Sequence, residues 1–368
     1  MPSVSTSQVT ERLLLGPGPS PVAPRVIDAM RAPVLSHLDP EMMAILDDIR
    51  ARLAVAFNAC PDAFSFAVSG TGTSGMEAAI ANLTRPGTRA TSVVNGYFGD
   101  RLARMLQGYG ATVTRVESDW GRACDPARLD QALAGGADLV TMVHAETSTG
   151  VLNPVKDMCA LASARGAMTI VDAVTSLGAH PVDATAWGAD VIYSCTQKGL
   201  GAPSGLAPIT FSKRARESAR SGGCRSFYFD LQLLEDYWIS RKYHHTISSP
   251  LVYALREALV AIEEEGFEAR WERHRTNHLE LAAALATIGL ELLPPPPERL
   301  WSLNAVRVPD GVDEAGVRRQ LLNDFHIEIG AGLGPLAGKI WRVGLMGSGS
   351  TRENIGRLVG ALTRALRR

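Results

Sequence analysis

The chain has 368 residues, 46% of them hydrophobic and 20% charged, with a formal net charge of −1. That length and balance predict two globular domains with a sizeable core, and the near-zero charge removes any electrostatic reason to expect nucleic acid or an acidic membrane as partner, so an anion site must be local. Five cysteines (Cys60, Cys124, Cys159, Cys195, Cys224), odd in number, widely spaced and without a CxxC pair, point to free thiols in a reducing compartment and to neither a disulfide framework nor a zinc or other metal site.

No basic start is followed by an apolar segment, no apolar run approaches the ~20 residues of a membrane span, and the C-terminus Ala365-Leu366-Arg367-Arg368 carries no peroxisomal signal. The expectation is a cytoplasmic protein.

Residues 1–12 are polar and read as a loose arm. Leu13-Leu14-Leu15 then runs into Gly16-Pro17-Gly18-Pro19-Ser20-Pro21, a rigid turn that is neither helix nor central strand. Between 41 and 57, Met42, Ile45, Leu46, Ile49, Leu53 and Phe57 share one helical face, which predicts core packing. Phe64–Val68 reads as a strand, and Gly70-Thr71-Gly72-Thr73-Ser74-Gly75 fits G-x-G-x-x-G before a helix expected near Met76. This dinucleotide fingerprint makes an NAD-dependent dehydrogenase a competing hypothesis. The fingerprint also needs an acid after the next strand, and Thr91-Ser92-Val93-Val94 is followed by Asn95. What survives is a glycine-rich turn at a positive helix end, which suits any phosphate, and Gly72 and Thr73 are its cradle residues.

Asn95-Gly96-Tyr97-Phe98-Gly99-Asp100 is expected to close that second strand, with Phe98 either stacking on a flat ring or buried in the core. Leu139–Val143 and Met168–Val171 predict two further strands, the first leading through His144 into Ala145-Glu146-Thr147-Ser148-Thr149-Gly150. Alternation of strand and helix from 62 to about 211 predicts an α/β fold with a mainly parallel sheet wrapped by helices, its ligand outside the strand C-termini.

Past Phe211 the pattern changes to an aromatic-rich connection, Arg225–Asp230 and Asp236–Trp238, and then Tyr243-His244-His245-Thr246. The adjacent histidines have no Cys or carboxylate at ligand spacing, and His274 and His278, in a charged helical run without an HExxH glutamate, read as a solvated face. Two helices broken near Gly266, a stop at Pro294–Pro297, strands near 304–308 and 327–329, a helix over 313–325 and a last helix capped by Ser350-Thr351-Arg352-Glu353 predict a smaller α+β domain. The expected division is an N-terminal arm 1–20, a large domain 21–249 and a small domain 250–368.

Two residues carry the chemistry. Asp172 interrupts the end of an apolar strand, where a carboxylate needs compensation: it either caps a helix starting near Thr175 or faces a cation such as a pyridinium NH. Lys198, in Tyr193-Ser194-Cys195-Thr196-Gln197-Lys198-Gly199-Leu200-Gly201, sits where the strand ending Val191-Ile192 opens into a loop. Its amine either snorkels to water or, with a pKa lowered by burial, forms a Schiff base with a carbonyl cofactor.

Asp172-Ala173-Val174 followed by Thr196-Gln197-Lys198 resembles the class V aminotransferases of fold type I, which use pyridoxal 5′-phosphate (PLP). The resemblance is to the alanine:glyoxylate and serine:glyoxylate group, through Leu15–Pro19, Ser69–Gly72, Thr147–Val151, Tyr243–Thr246 and Arg342-Val343-Gly344-Leu345, and it spans nearly the whole chain. It implies Lys198 as the Schiff-base lysine and proton carrier, Asp172 at the ring nitrogen, Phe98 and Val174 on opposite ring faces and Thr147 at the phenolic oxygen. It also implies Gly72, Thr73 and Gln197 on the cofactor side, Arg342 on the substrate carboxylate and Gly18 in a loop over the site.

Tyr243 and Thr246 match residues that reach the phosphate in the neighbouring subunit, implying a homodimer with shared active sites. The implied reaction is transamination between a small amino acid of the alanine or serine class and a 2-oxo acid such as glyoxylate or pyruvate. A PLP-dependent lyase or a biosynthetic aminotransferase with an unusual amine donor is the alternative. Animal alanine:glyoxylate enzymes have Trp where Phe98 stands, and bacterial relatives often carry a His-Arg pair near His37-Leu38; the Leu points away from a second anionic group on the substrate.

Overall fold

The computed structural model describes residues 9–366. Most of the arm expected to be loose, and the last two residues of the C-terminus, lie outside the described residues.

Seven strands form the main sheet: β1 (Phe64–Gly70), β2 (Arg89–Val94), β3 (Thr112–Glu117), β4 (Leu139–Val143), β5 (Met168–Asp172), β6 (Val191–Tyr193) and β7 (Gly205–Phe211), in the order β1-β7-β6-β5-β4-β2-β3. Only β7 runs antiparallel to its neighbours, so the other strands end at the same edge. Near-continuous apolar strands such as β4 are what a sheet covered on both faces requires, and all five residues of β4 are buried. The helix Gly72–Leu83 begins directly after β1, earlier than Met76. A Cβ on its Gly75 would lie 3.2 Å from the Ala207 Cβ and 3.3 Å from that of Tyr193, so glycine lets this helix press onto the sheet.

A second sheet, β8 (Leu303–Arg307), β9 (Gly330–Ala331) and β10 (Ile340–Gly344), is antiparallel in the order β8-β10-β9. It carries its own core, with Leu281, Val306, Trp341 and Leu358. The chain start belongs with this core: Leu13–Leu14 pairs with Ile327–Glu328, and Leu15 is fully buried there. The helix Ser249–Glu265 packs through Val252, Leu255, Leu259 and Ile262 on the core of the large sheet, although the sequence division starts the small domain at 250.

The helix Phe267–Thr287 joins the two cores, and here the structure corrects the reading of its histidines. His274 and His278 are buried, on a stripe with Arg270, Asn277, Leu281 and Leu285 at helical spacing. Four of its six residues are polar, so hydropathy conceals it. His274 Nδ1 donates to the Arg270 carbonyl at 2.8 Å, and His278 Nδ1 lies 2.6 Å from Asn304 Oδ1. The capping of the last helix, Arg352–Leu366, is also displaced by one residue: Thr351 Oγ1 accepts from the Asn354 N–H, whereas Ser350 Oγ accepts from Asn277. The segment after Asp172 makes turns and no helix starts at Thr175.

Buried imidazoles give this junction an acid limit. Burial lowers the pKa of His144 and His274 to about 3 and drives His180 well below its ordinary 6.5. A folded-state pKa below the unfolded one gives stability that is present above pH 6.5 and lost as the pH falls towards the folded value. Each neutral histidine therefore contributes up to ~1.4 kcal/mol per pH unit of decline. The thermal midpoint is expected to fall steeply between about pH 6.5 and 5, before most carboxylates protonate; a flat profile there would contradict this packing.

Candidate active site

The C-terminal edge of the sheet gathers most of the chemically distinctive residues. Thr71, Gly72, Thr73, Met76, Phe98, Arg101, Asp172, Val174, Gln197 and Lys198 line one cavity of about 240 Å³. Larger clefts, such as one of about 570 Å³ beside Tyr253 and Arg256, lie on other faces and contain none of these residues.

Asp172 ends β5 and pairs in register with Tyr193, the last residue of β6. That pairing sets the phenol donating to Asp172 Oδ2 at 2.6 Å, while the Val174 N–H donates to Oδ1 at 2.8 Å. The carboxyl is 2% exposed, and burial raises its pKa to about 6 despite both donors. Burial and the neighbouring Asp172 raise the Tyr193 pKa well above 10, so it stays a neutral donor. The sequence alone does not mark Tyr193 as a site residue, because its contact depends on strand register.

The turn from β1 into the helix Gly72–Leu83 passes through Gly70 at φ +133° and reaches Thr71, whose side chain does not cap the helix. A Cβ on Gly72 would stand 2.8 Å from Val174 Cγ2, so this glycine lets the uncapped helix end close onto the segment after Asp172. Uncapped N-terminal amides at a positive dipole end suit an anion. Gln197 Oε1 is buried and lacks a hydrogen-bond partner among the described residues.

Phe98 lies in the first turn of the helix Tyr97–Gly108, not in a closing strand. Its position depends on Glu146, a fully buried residue whose carboxylate accepts from the Gly99 N–H at 3.1 Å, the Phe98 N–H at 3.5 Å and Ser148 Oγ at 2.6 Å. Burial raises the Glu146 pKa, opposed by these donors. Thr147 is buried beside it, its Oγ1 in contact with that of Thr175.

Lys198 lies under the N-terminal loop. Its Nζ donates to the Pro17 carbonyl, Ser20 Oγ donates to the Lys198 carbonyl at 2.8 Å, and the Ser20 N–H donates to the Gln197 carbonyl at 2.9 Å. Burial lowers the lysine pKa, and the charge of Arg342 acts in the same direction. Gly18, at φ +113°, has no room for a side chain: a Cβ would meet Lys198 Cδ at 2.6 Å and Nζ at 2.8 Å. Gly18→Ala is therefore expected to leave the protein folded but cut turnover by about a hundredfold through displacement of Lys198. Wild-type rates from a folded variant would show that the loop yields freely.

Arg342, on β10, is 7% exposed and its Nε donates to the Ala331 carbonyl at 2.6 Å. Burial brings its pKa down to about 10, while the charges of Glu146 and Glu328 hold it up; among the described residues no carboxylate lies at ion-pair distance. Tyr243 and Thr246 are not brought to the cavity. Both are exposed, Tyr243 by 64%, with its ring 5.0 Å from that of His37.

The model of the family "Aminotransferase class-V" matches residues 12–354. The chain is 38% identical to the alanine–glyoxylate aminotransferase of Oryctolagus cuniculus, with 96% of this chain and 92% of that protein covered. It is 36% identical to the (S)-ureidoglycine–glyoxylate transaminase of Bacillus subtilis, over 94% and 88%. The crystal structure of an alanine–glyoxylate aminotransferase from Nostoc sp. superposes with a TM-score of 0.97 at 44% identity, covering 99% of this chain and 98% of that one.

The chain is a class V aminotransferase. As such it is a transaminase of fold type I, and the cofactor of this family is PLP. The class V cavity has the features that cofactor requires. Asp172 is an acceptor set in low dielectric, Gly72 leaves space beside an uncapped helix end, and the unpaired Gln197 Oε1 is open to a donor. The dehydrogenase hypothesis falls: the glycine-rich turn opens onto Asp172 and Lys198, and Asn95, where the ribose acid would stand, donates to Asn153 Oδ1 and the Arg122 carbonyl.

Proposed function

We propose that this aminotransferase moves an amino group from alanine or serine to glyoxylate or pyruvate, with Lys198 and Asp172 as its catalytic pair. The observation that carries the assignment is one cavity lined both by the buried aspartate that ends β5 and by a half-buried lysine in the turn after the adjacent β6. Lys198 would hold the cofactor covalently through Nζ. Burial lowers its pKa, which favours the neutral amine, and once the substrate amine had replaced it on the cofactor the freed Nζ would take a proton from the substrate Cα and return it on the cofactor side. When bound, PLP supplies the electron sink that makes that Cα–H acidic. Asp172, hydrogen-bonded by Tyr193, would keep the proton on the ring nitrogen, and Phe98 and Val174 would confine the ring.

Thr147 is assigned to the phenolic oxygen, Gly72, Thr73 and Gln197 to the phosphate side, Arg342 to the substrate carboxylate and Gly18 to the roof over the substrate. A buried arginine without a carboxylate partner is suited to a bidentate carboxylate. The exposure of Tyr243 and Thr246 away from their own cavity supports their service to a partner's site in a homodimer. The chain composition supports a cytoplasmic setting, and among the described residues no helix is long and apolar enough to cross a membrane.

A second reading of the donor rests on the relative whose name specifies (S)-ureidoglycine. Both relatives named above share glyoxylate as acceptor, so the donor is the open choice. The deciding experiment follows the visible absorbance of the PLP-loaded protein as alanine, serine or (S)-ureidoglycine is added. Loss of the band with alanine or serine, and its return with glyoxylate, supports the proposal. A response to (S)-ureidoglycine alone supports the second reading, and bleaching only with ammonia release would overturn both.

A further inference from the structure

Arg101 projects into the cavity from the helix Tyr97–Gly108, and none of the roles above uses it. Its Nη1 donates to Thr73 Oγ1 at 2.9 Å, and its Cζ lies 5.1 Å from the centroid of the Phe98 ring and 5.2 Å from that of Tyr97. The guanidinium thus bridges the helix end that cradles an anion and the aromatic platform beside it. Among the described residues no carboxylate stands at ion-pair distance from Arg101, and its neighbour Asp100 is engaged by Arg104 and Arg115.

Charge balance gives this placement a purpose. Among the described residues, Arg101 and Lys198 are the only cations that line the cavity. Lys198 donates to Pro17 and is committed to the cofactor's carbonyl end, so it does not neutralise the opposite end. A phosphate monoester carries close to two negative charges at neutral pH, whereas a helix N-terminus offers about half a positive charge. The uncapped turn at Gly72 therefore leaves most of the anion's charge unmatched within this chain. An arginine fixed by one hydroxyl and two ring faces keeps its remaining N–H groups available at little entropic cost.

We infer that Arg101 is the phosphate counter-ion of the cofactor site, oriented by Thr73 and held flat by Tyr97 and Phe98. This rests on the PLP site proposed above and adds a residue to it. The test compares binding of PLP with binding of pyridoxal, which has the same ring and carbonyl but no phosphate. Apo wild type, Arg101→Met and Arg101→Lys are titrated with each, followed by absorbance and by tryptophan fluorescence, with inorganic phosphate as competitor. Arg101→Met is expected to weaken PLP by about ten- to a hundredfold, the scale of one or two charge-assisted hydrogen bonds, and to change pyridoxal by less than about twofold.

Arg101→Lys is expected to fall between, as a cation without the planar fork. Inorganic phosphate should compete with PLP in the wild type and much less in Arg101→Met. Equal weakening of PLP and pyridoxal would mean that Arg101 only braces Phe98, and would overturn the inference. So would unchanged PLP affinity together with a raised amino-acid KM, which would make Arg101 a substrate contact. If Arg101→Met does not fold, Arg101→Lys and the wild-type phosphate competition decide. Wild type that binds neither compound would instead sink the cofactor site itself.

Discussion

Lys198→Ala is expected to yield a folded protein whose transamination is slower by about ten-thousandfold or more. Two functions are lost together, the covalent hold on the carbonyl and the base that moves the proton, and general acid–base catalysis alone accounts for about 10²–10⁴-fold. The fold should survive because Lys198 contributes one side-chain hydrogen bond, to Pro17, and its backbone remains tied to Ser20. Removing a cation whose pKa burial lowers also relieves a desolvation cost, so the thermal midpoint should not drop. Turnover, borohydride trapping of the lysine–cofactor linkage by mass spectrometry and a melting curve measure these effects separately. Retained transamination in the variant would remove Lys198 from the mechanism.

Asp172→Asn is expected to separate activity from stability in opposite directions. Turnover should fall by about 10²–10³-fold, the scale of losing one preorganised electrostatic contact to a developing charge. The ligand-free variant should be more stable than the wild type at neutral pH, by up to about 3 kcal/mol. The sign follows from the pKa, which is raised from 3.8 to about 6 in the fold. A raised carboxyl contributes stability below pH 3.8 that is lost as pH rises through 6, so the ionised form is a cost at pH 7 that the amide avoids. Chemical denaturation of apo wild type and variant at pH 5 and pH 8 should show the gap widening with pH. A variant less stable at both values would mean that the hydrogen bonds from Tyr193 and Val174 outweigh desolvation.

This opposition explains why such a carboxylate is found at the end of an apolar strand. Its cost in the ligand-free protein is the affinity it offers a cation, and sites of this kind carry local instability that their ligand offsets. Glu146 repeats the device nearby with internal partners: backbone amides and Ser148 satisfy it, and through them it fixes the turn that carries Phe98. Gly96 must be small for the same reason, since a Cβ there would lie 2.4 Å from the Glu146 carboxyl carbon.

Much of this protein is determined locally. Apolar runs bounded by glycine and polar residues specify the parallel strands, and the charged, small or aromatic residues at or just beyond their ends, Asp172, Lys198, Gly72 and Phe98, mark the ligand edge before any coordinates are known. These signals are legible because they depend on neighbours within a few positions. What only the tertiary structure decided involves residues distant in sequence. Strand register gives Asp172 its partner Tyr193; packing between cores buries His274 and His278 in a helix whose composition reads as exposed. The N-terminal loop crosses to Lys198 over about 180 positions, and Arg101 meets Thr73 only because two helices start side by side at one sheet edge. Such contacts leave no periodic trace in the chain, since they result from how whole elements pack rather than from the preference of any one segment.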